Sequence, residues 1–196
     1  MPLPPGLDLA HRISLYICGI FQTMYEHVYP EKRFRLTLEF LKKHVSPSER
    51  ILDLGVENPL SQIMKKEGFT VINTSGEDLD KDQSTIKNSQ YDVVTAFEIF
   101  EHLLNPYTVL KKIQCKKLLI SVPMRLWFSP AYRSKTDPWD RHYHEFEDWQ
   151  LDWLLEKTGW KIIDRKKWTN PVGKFGIRPL LRKFTNRYYI LYAEKI

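Results

Sequence analysis

Short runs of apolar residues recur along the chain, and longer stretches with mixed apolar and polar positions separate them. Valine, isoleucine and leucine dominate most of the runs, and polar or turn-forming residues bound them. This is the pattern of strands that are buried on both faces of a sheet. We therefore predict six strands, at residues 50–55, 70–74, 91–96, 117–122, 160–164 and 188–193.

The stretches between the runs predict helices. Apolar positions at 34, 38, 41 and 45 follow the spacing of an amphipathic helix. A short amphipathic helix is expected after Pro179, and Gly159 is a suitable C-cap for the helix before it. The remaining helices are expected at residues 7–28, 60–66, 103–113 and 145–158.

The alternation of helix and strand predicts an α/β fold with one mostly parallel sheet, covered by helices on both faces. We expect residues 1–45 to form N-terminal helices that cap the site. Residues 46–196 form the α/β domain, and the whole chain is expected to be a single globular unit.

Composition agrees with one globular domain and narrows the choice of partners. The chain has 196 residues, of which 42% are hydrophobic and 28% charged, enough for an ordinary core. A net charge of +6 and a pI near 9.2 permit an anionic partner, but alone they do not indicate nucleic-acid binding.

Cys18 and Cys115 lack the spacing of a metal site, and we expect reduced thiols. The apolar segment at residues 13–21 is too short for a membrane span and lacks the cationic start of a signal peptide. These features predict a soluble, cytoplasmic protein without a transmembrane segment.

The most informative chemistry follows the strand at residues 91–96. If the chain becomes helical from Glu98, the side chains of Glu98, Glu101 and His102 project from one face at the carboxyl end of that strand. Open α/β sheets bind their ligands at this end. The alternative is structural, because acidic residues near a helix start also interact favourably with the helix dipole.

Two motifs resemble those of class I S-adenosylmethionine-dependent methyltransferases. Ile51-Leu52-Asp53-Leu54-Gly55 resembles the strand, acid and glycine turn that hold the methionine end of the cofactor. Residues 91–106 resemble the family's fourth strand and the Glu-x-x-Glu-His turn that follows it. Residues 117–123 and 155–163 resemble its fifth strand and its last helix–strand joint. The resemblance extends in the correct order from about Phe34 to Ala193.

The resemblance implies a Rossmann-like class I methyltransferase fold in which the last strand is antiparallel and lies beside the strand that starts at Trp160. The fold is shortened between strands 2 and 4, because the segment from Asp53 to Asp92 leaves room for little more than one strand–helix–strand passage.

The resemblance also implies S-adenosylmethionine as cofactor. Asp53 would organise its methionine end, and Thr74 occupies the place of the usual ribose-binding acid. Glu77 or Asp78 could supply that acid, although both could instead belong to a solvated turn. The cofactor-binding residues implied in this way are Asp53, Leu54, Gly55, Asn58, Thr74, Asp78, Leu79 and Phe97.

The Glu-x-x-Glu-His element is similar to the divalent-metal site of methyltransferases that act on catechol-like hydroxyls in ubiquinone biosynthesis. Small-RNA 2′-O-methyltransferases carry the same element with a downstream histidine, and His144-Glu145-Phe146-Glu147 resembles their His-x-Phe-Glu segment. The implied metal ligands are Glu98, Glu101, His102 and His144, a set that suits manganese, iron or zinc better than magnesium. His102, His142 and His144 are the candidate catalytic residues for proton transfer, although His142 and His144 could instead only form hydrogen bonds in a polar loop.

The acceptor is expected to meet the long loop at residues 123–144, which is rich in aromatic residues and arginine. Rings offer stacking surfaces and guanidinium groups bind carboxylate or phosphate. Both features favour a small aromatic or anionic acceptor, although several of the rings are expected only to pack over the sheet edge. A second basic segment, residues 174–187, could meet RNA phosphate or an anionic membrane, or could simply be solvated.

The leading hypothesis is therefore methyl transfer from S-adenosylmethionine to an oxygen of a small molecule, with assistance from a metal. One alternative is a non-catalytic binding module of the same fold. Glu57 and Pro59 favour that alternative, because they occupy positions where the family has further glycines. A second alternative is an RNA ribose 2′-O-methyltransferase.

Overall fold

A computed structural model describes residues 30–173 and 175–196, apart from the side chain of Asn88. The predicted helix at residues 7–28 and Cys18 lie outside this part of the chain. Helices occupy α1 (Glu31–His44), α2 (Pro59–Lys66), α3 (Ser84–Asn88), α4 (Pro106–Lys112), α5 (Asp148–Thr158) and α6 (Ile177–Phe184). Strands occupy β1 (Arg50–Asp53), β2 (Thr70–Asn73), β3 (Val93–Phe97), β4 (Lys117–Pro123), β5 (Trp160–Thr169) and β6 (Asn186–Lys195).

The strands form one sheet in the order β2-β1-β3-β4-β6-β5. The first four strands pair in parallel, whereas β6 is antiparallel to both β4 and β5. The predicted mostly parallel sheet with an antiparallel last strand is confirmed. Only the five-residue helix α3 lies between β2 and β3, which leaves β2 at the sheet edge.

Successive strand residues point to opposite faces, and each face is covered by helices. Ile51, Val93 and Leu119 belong to a cluster that also contains apolar residues of α1 and α2. Leu52, Val94 and Ile120 belong to a second cluster with residues of α4 and α5. The near-continuous apolar runs in the sequence reflect this burial on both faces.

The turn after β3 differs from the prediction. Glu98 is not helical: its φ of 59° places it in the left-handed region, and only a 3-10 turn at Phe100–His102 follows. Helix α4 begins at Pro106 rather than at residue 103, because proline is well tolerated in the first turn of a helix. Glu98, Glu101 and His102 therefore do not lie on one face of an α-helix.

Strand β5 is longer than predicted, since it runs to Thr169 and pairs with β6 over most of its length. It carries five charged residues, as is common on an edge strand: Lys161, Asp164, Arg165, Lys166 and Lys167. None of the helices in the part of the chain that the structure describes is long and apolar enough to cross a membrane.

The C-cap of α5 tests this local geometry. Gly159 has a φ of 87°, and a Cβ at this position would meet no atom within 4 Å, so the cost of a side chain is conformational. We expect Gly159→Ala to lower the free energy of unfolding by about 1 kcal/mol, measured by urea denaturation. Gly173→Ala is the matched control, because that glycine also has open space but no positive φ. Equal effects of the two substitutions would contradict the prediction.

Candidate active site

A cavity of about 780 Å³ opens at the carboxyl edge of the parallel strands. Strands β1 and β3 are neighbours in the sheet, with Asp53 opposite Thr95. Because both strands end at this edge, the segments that follow them line one cavity. The cavity has the size of an ordinary small-molecule site.

Two glycine turns form one wall of the cavity. Gly55 has a φ of 120°, and its amide donates to the hydroxyl of Thr74 over 2.7 Å. Gly76 has a φ of 89°, and a Cβ there would lie 2.9 Å from Val56. The loops after β1 and β2 therefore approach each other closely, and Thr74 joins them.

Asp53 is a buried carboxyl group at the base of this wall. Its Oδ1 accepts a hydrogen bond from the Thr95 hydroxyl at 2.6 Å, and its Oδ2 accepts one from Asn73 Nδ2 at 3.1 Å. Burial raises the pKa of Asp53 to about 7, although these hydrogen bonds and the charge of Lys65 oppose the shift. A cation bound in the cavity would favour the ionised form.

The two residues that departed from the glycine pattern do not obstruct the cavity. Glu57 is exposed, and its carboxylate accepts hydrogen bonds from Lys65 at 2.6 Å and Gln62 at 3.3 Å instead of lining the cavity. Pro59 is the first residue of α2, where an amide hydrogen has no helical partner in any case. Asn58 caps the same helix and lines the cavity.

The acidic turn after β2 lies on the same wall. Glu77 Oε2 accepts a hydrogen bond from the Ser75 amide at 2.7 Å, whereas its Oε1 is buried and has no hydrogen-bond partner among the described residues. Asp78 is exposed and forms an ion pair with Lys81 at 2.8 Å. Both acids line the cavity, but only Glu77 has a buried oxygen that no described residue hydrogen-bonds.

Glu98 connects the end of β3 to its neighbours. It accepts hydrogen bonds from the Ser121 hydroxyl at 2.8 Å and from Arg33 at 3.3 Å. These contacts, together with the bond from its amide to the Ser121 carbonyl, hold the uncommon backbone conformation in place. Arg33 brings α1 to the rim of the cavity.

Three side chains of types that can bind a metal ion come together in the described ranges: Glu101, His102 and His142. One potential ligand atom from each lies within 4.8 Å of the others. Glu101 is 1% exposed, and its Oε2 has no hydrogen-bond partner among these residues. Burial and the charge of Glu98 raise the pKa of Glu101 well above its usual value.

The two histidines of this cluster present different properties. His102 Nδ1 lies 3.0 Å from the Arg141 carbonyl, which can only accept, so in the neutral imidazole Nδ1 carries the proton and Nε2 has the lone pair. Burial and the nearby His102 lower the pKa of His142 to about 4, so His142 is neutral at pH 7. Neutral imidazoles are the form that binds metal ions.

His144 lies apart from this cluster. The chain bends at Tyr143, and the amides of Tyr143 and His144 both donate to the Glu101 carbonyl, at 2.8 and 3.2 Å. The ring of His144 packs near Phe146, and its Nε2 lies 3.4 Å from the Leu104 carbonyl. The structure thus places His142 where the sequence pattern had suggested His144.

Placement of the predicted residues is otherwise close to expectation. The cavity is lined by every residue predicted to bind cofactor: Asp53, Leu54, Gly55, Asn58, Thr74, Asp78, Leu79 and Phe97. From the long loop it is lined by Tyr132, Trp139 and Arg141, whereas Trp127 and Phe128 pack against each other at 5.4 Å. Arg33, Arg187 and Tyr188 also line it, and of these the sequence pattern had marked only Arg187, as the end of the basic segment at residues 174–187.

Comparison with known proteins agrees with this architecture. A family model described as a methyltransferase domain matches residues 25–165. No curated protein sequence matches the chain. A solved S-adenosylmethionine-dependent methyltransferase from Methanosarcina mazei has a TM-score of 0.59 at 12% identity, over 80% of this chain and 97% of that chain.

Two other solved structures are similar over nearly their whole length. The 1,6-didemethyltoxoflavin-N1-methyltransferase of Burkholderia thailandensis, solved with S-adenosylhomocysteine, has a TM-score of 0.54 at 16% identity, over 99% of this chain and 93% of that chain. The magnesium protoporphyrin IX methyltransferase of Synechocystis, solved with S-adenosylmethionine, has a TM-score of 0.55 at 12% identity, over 99% of this chain and 100% of that chain. At such identities the likeness shows the fold, and it confirms the predicted Rossmann-like class.

The raised pKa of Asp53 predicts a pH dependence of stability. The unfolded carboxyl ionises near 3.8 and the folded one at about 7, so between these values only the folded state keeps the proton. Asp53 therefore makes stability fall as the pH rises from about 4 to 7. In urea denaturation, Asp53→Asn should remove this fall, so the stability of the variant relative to the wild type should rise over that range. Rotation of the Asn73 amide, whose Oδ1 has no partner among the described residues, would accommodate the new amide.

Asp92→Asn is the control, because it should change the pH dependence of stability in the opposite direction. Hydrogen bonds from Arg50 lower the pKa of Asp92, so its contribution to stability is present above its unfolded pKa and is lost as the pH falls. If Asp53→Asn and Asp92→Asn changed the pH dependence in the same direction, the environment assigned to Asp53 would be wrong.

Proposed function

Since this chain belongs to the methyltransferase-domain family, we propose that it transfers a methyl group from S-adenosylmethionine to a hydroxyl oxygen of a small molecule. The observation that carries the proposal is one cavity bounded on one side by the glycine turns after β1 and β2 and on the other by Glu101, His102 and His142. The fold alone does not select the acceptor atom, because enzymes of one fold serve many reactions.

The residues on the glycine side fit the cofactor. When bound, S-adenosylmethionine would present a methyl group on its sulfonium, so that an acceptor oxygen could bond to the methyl carbon in line as the C–S bond breaks and S-adenosylhomocysteine is released. The turn at Gly55 brings backbone close to the cavity, and Asp53 offers a carboxyl group whose negative charge a bound cation would stabilise. Glu77 Oε1 is a buried acceptor without a partner among the described residues, which suits a ribose hydroxyl.

The same features weigh against a non-catalytic module. Glu57 occupies a position where the family has a further glycine, but Lys65 and Gln62 hold its carboxylate on the exposed side of α2. The cavity is also not filled by side chains of the described residues. Both observations support a site that accepts ligands.

On the opposite side, Glu101, His102 and His142 fit a divalent cation of the manganese, iron or zinc type. A buried carboxylate oxygen without a hydrogen-bond partner among the described residues is costly unless a ligand satisfies it. A bound divalent ion would orient an acceptor hydroxyl and lower its pKa. The Arg141 carbonyl fixes the tautomer of His102, as is common for histidine ligands.

The low pKa of His142 makes it a weak base, which favours a ligand role over proton abstraction. The acceptor side of the cavity also contains Tyr132, Trp139 and Tyr188 with Arg141 and Arg187. Rings and guanidinium groups together suit an aromatic acceptor with an anionic substituent.

Cofactor binding tests the first half of the proposal. Glu77→Ala should weaken binding of S-adenosylmethionine on the order of tenfold in calorimetry, because a hydrogen bond to a charged group is lost. Glu57→Ala should leave the affinity unchanged, since that carboxylate faces away from the cavity.

A 2′-deoxy analogue of S-adenosylhomocysteine sharpens this measurement. The wild type should distinguish it from the parent compound, and Glu77→Ala should not. If Glu57→Ala were the more damaging substitution, the assignment of Glu77 to the ribose would be rejected.

Metal binding tests the second half. His142→Ala should weaken Mn²⁺ binding by about tenfold or more in calorimetry and slow methylation of an ortho-dihydroxybenzoic acid. His144→Ala should preserve both, because its ring lies outside the cluster. If His144→Ala weakened Mn²⁺ binding more than His142→Ala did, His144 would be the ligand, as expected from the sequence. Preferred methylation of an RNA 3′ end would exclude the small-molecule acceptor.

A further inference from the structure

Helix α6 is an amphipathic helix whose apolar side has no cover among the described residues. None of its eight residues is buried. Ile177 is 78%, Leu180 54% and Phe184 79% exposed, and Phe175 just before the helix is fully exposed. Soluble proteins seldom leave such a cluster of large apolar side chains in water without a use for it.

The two sides of α6 differ sharply in chemistry. Ile177, Leu180 and Phe184 are spaced by three and four residues, so they lie along one stripe of the helix. The cations Arg178, Arg182 and Lys183 lie on the remaining surface, and the helix contains no acidic residue.

The position of α6 in the fold places this surface beside the cavity. The helix connects the end of β5 to the start of β6. Tyr188 pairs with Pro123 at the carboxyl end of β4, and both residues line the cavity. The exposed Trp127 and Trp139 lie in the loop that leaves the same edge.

We propose that α6 docks the protein on a membrane surface that contains anionic phospholipids. The helix would lie in the plane of the interface, with Ile177, Leu180 and Phe184 among the acyl chains and the cations at the level of the phosphates. Arginine and lysine side chains can reach the headgroups from such a helix because their long stems follow apolar surface. The net charge of +6 attracts the whole molecule to the same surface.

Other occupants fit this surface less well. RNA would pair with the cations but would leave aliphatic Ile177 and Leu180 in water, because these side chains do not stack as aromatic rings do. A second copy of the helix would cover the apolar stripe but would leave Arg178, Arg182 and Lys183 without an opposite charge, since the helix contains no acidic residue. An anionic bilayer satisfies both the apolar stripe and the charge.

Vesicle cosedimentation of the full chain tests the proposal, with phosphatidylcholine vesicles that contain or lack phosphatidylglycerol. The wild type should bind the anionic vesicles and release them in high salt. Phe184→Ser should weaken binding about tenfold through lost apolar burial, and Arg178→Glu at least fivefold through lost charge. Both side chains are exposed, so the variants should melt at the temperature of the wild type.

Matched controls come from α5, which also has exposed large apolar and basic residues. Trp153→Ala and Lys157→Glu should bind vesicles as the wild type does. Equal losses in the α5 and α6 variants, or no binding to anionic vesicles, would overturn the proposal. Tighter binding to single-stranded RNA than to vesicles would overturn it too, as would a dimer that Phe184→Ser dissociates. None of these results depends on cofactor binding or on the acceptor.

Discussion

The parallel pairing of β1 with β3 is the constraint on which the rest of the site depends. Ile51, Leu52 and Asp53 pair with Val93, Val94 and Thr95, and the Thr95 hydroxyl donates to the Asp53 carboxyl group at 2.6 Å. Since the two strands run in the same direction, the turns that follow them open toward the same side. Segments far apart in sequence then become the two walls of one cavity.

Two buried carboxyl groups define the electrostatics of this cavity. Burial is the largest cause of the raised pKa in both Asp53 and Glu101, and in Glu101 the charge of Glu98 adds to it. In both groups burial therefore disfavours the ionised form, which a nearby positive charge would favour. In the proposed reaction these positive charges would be the cofactor on one side and a divalent cation on the other.

Much of the site could be predicted from the sequence because its residues follow strand ends directly. Asp53 ends the first strand, Gly55 lies in the turn after it, and Glu101 and His102 follow the third strand, so a short-range pattern was enough to place them. His144 lies outside the cluster of Glu101, His102 and His142, because the chain bends at Tyr143 and brings the other imidazole of the loop toward Glu101. Local spacing does not encode such a bend. Similarly, the hydrogen bonds of the turn around Glu77, and not the sequence, show that Glu77 Oε1 has no partner among the described residues.

The sequence by itself determined the α/β class, the strand runs and the glycine turn, because apolar periodicity and turn chemistry act over a few residues. Only the tertiary structure decided that Arg33 from α1 and Tyr188 from β6 reach the cavity, that Glu57 faces away from it and that none of the described segments covers the apolar side of α6. The physical reason is that burial, desolvation and contact depend on which distant segments pack together, and such packing leaves no signature in local spacing.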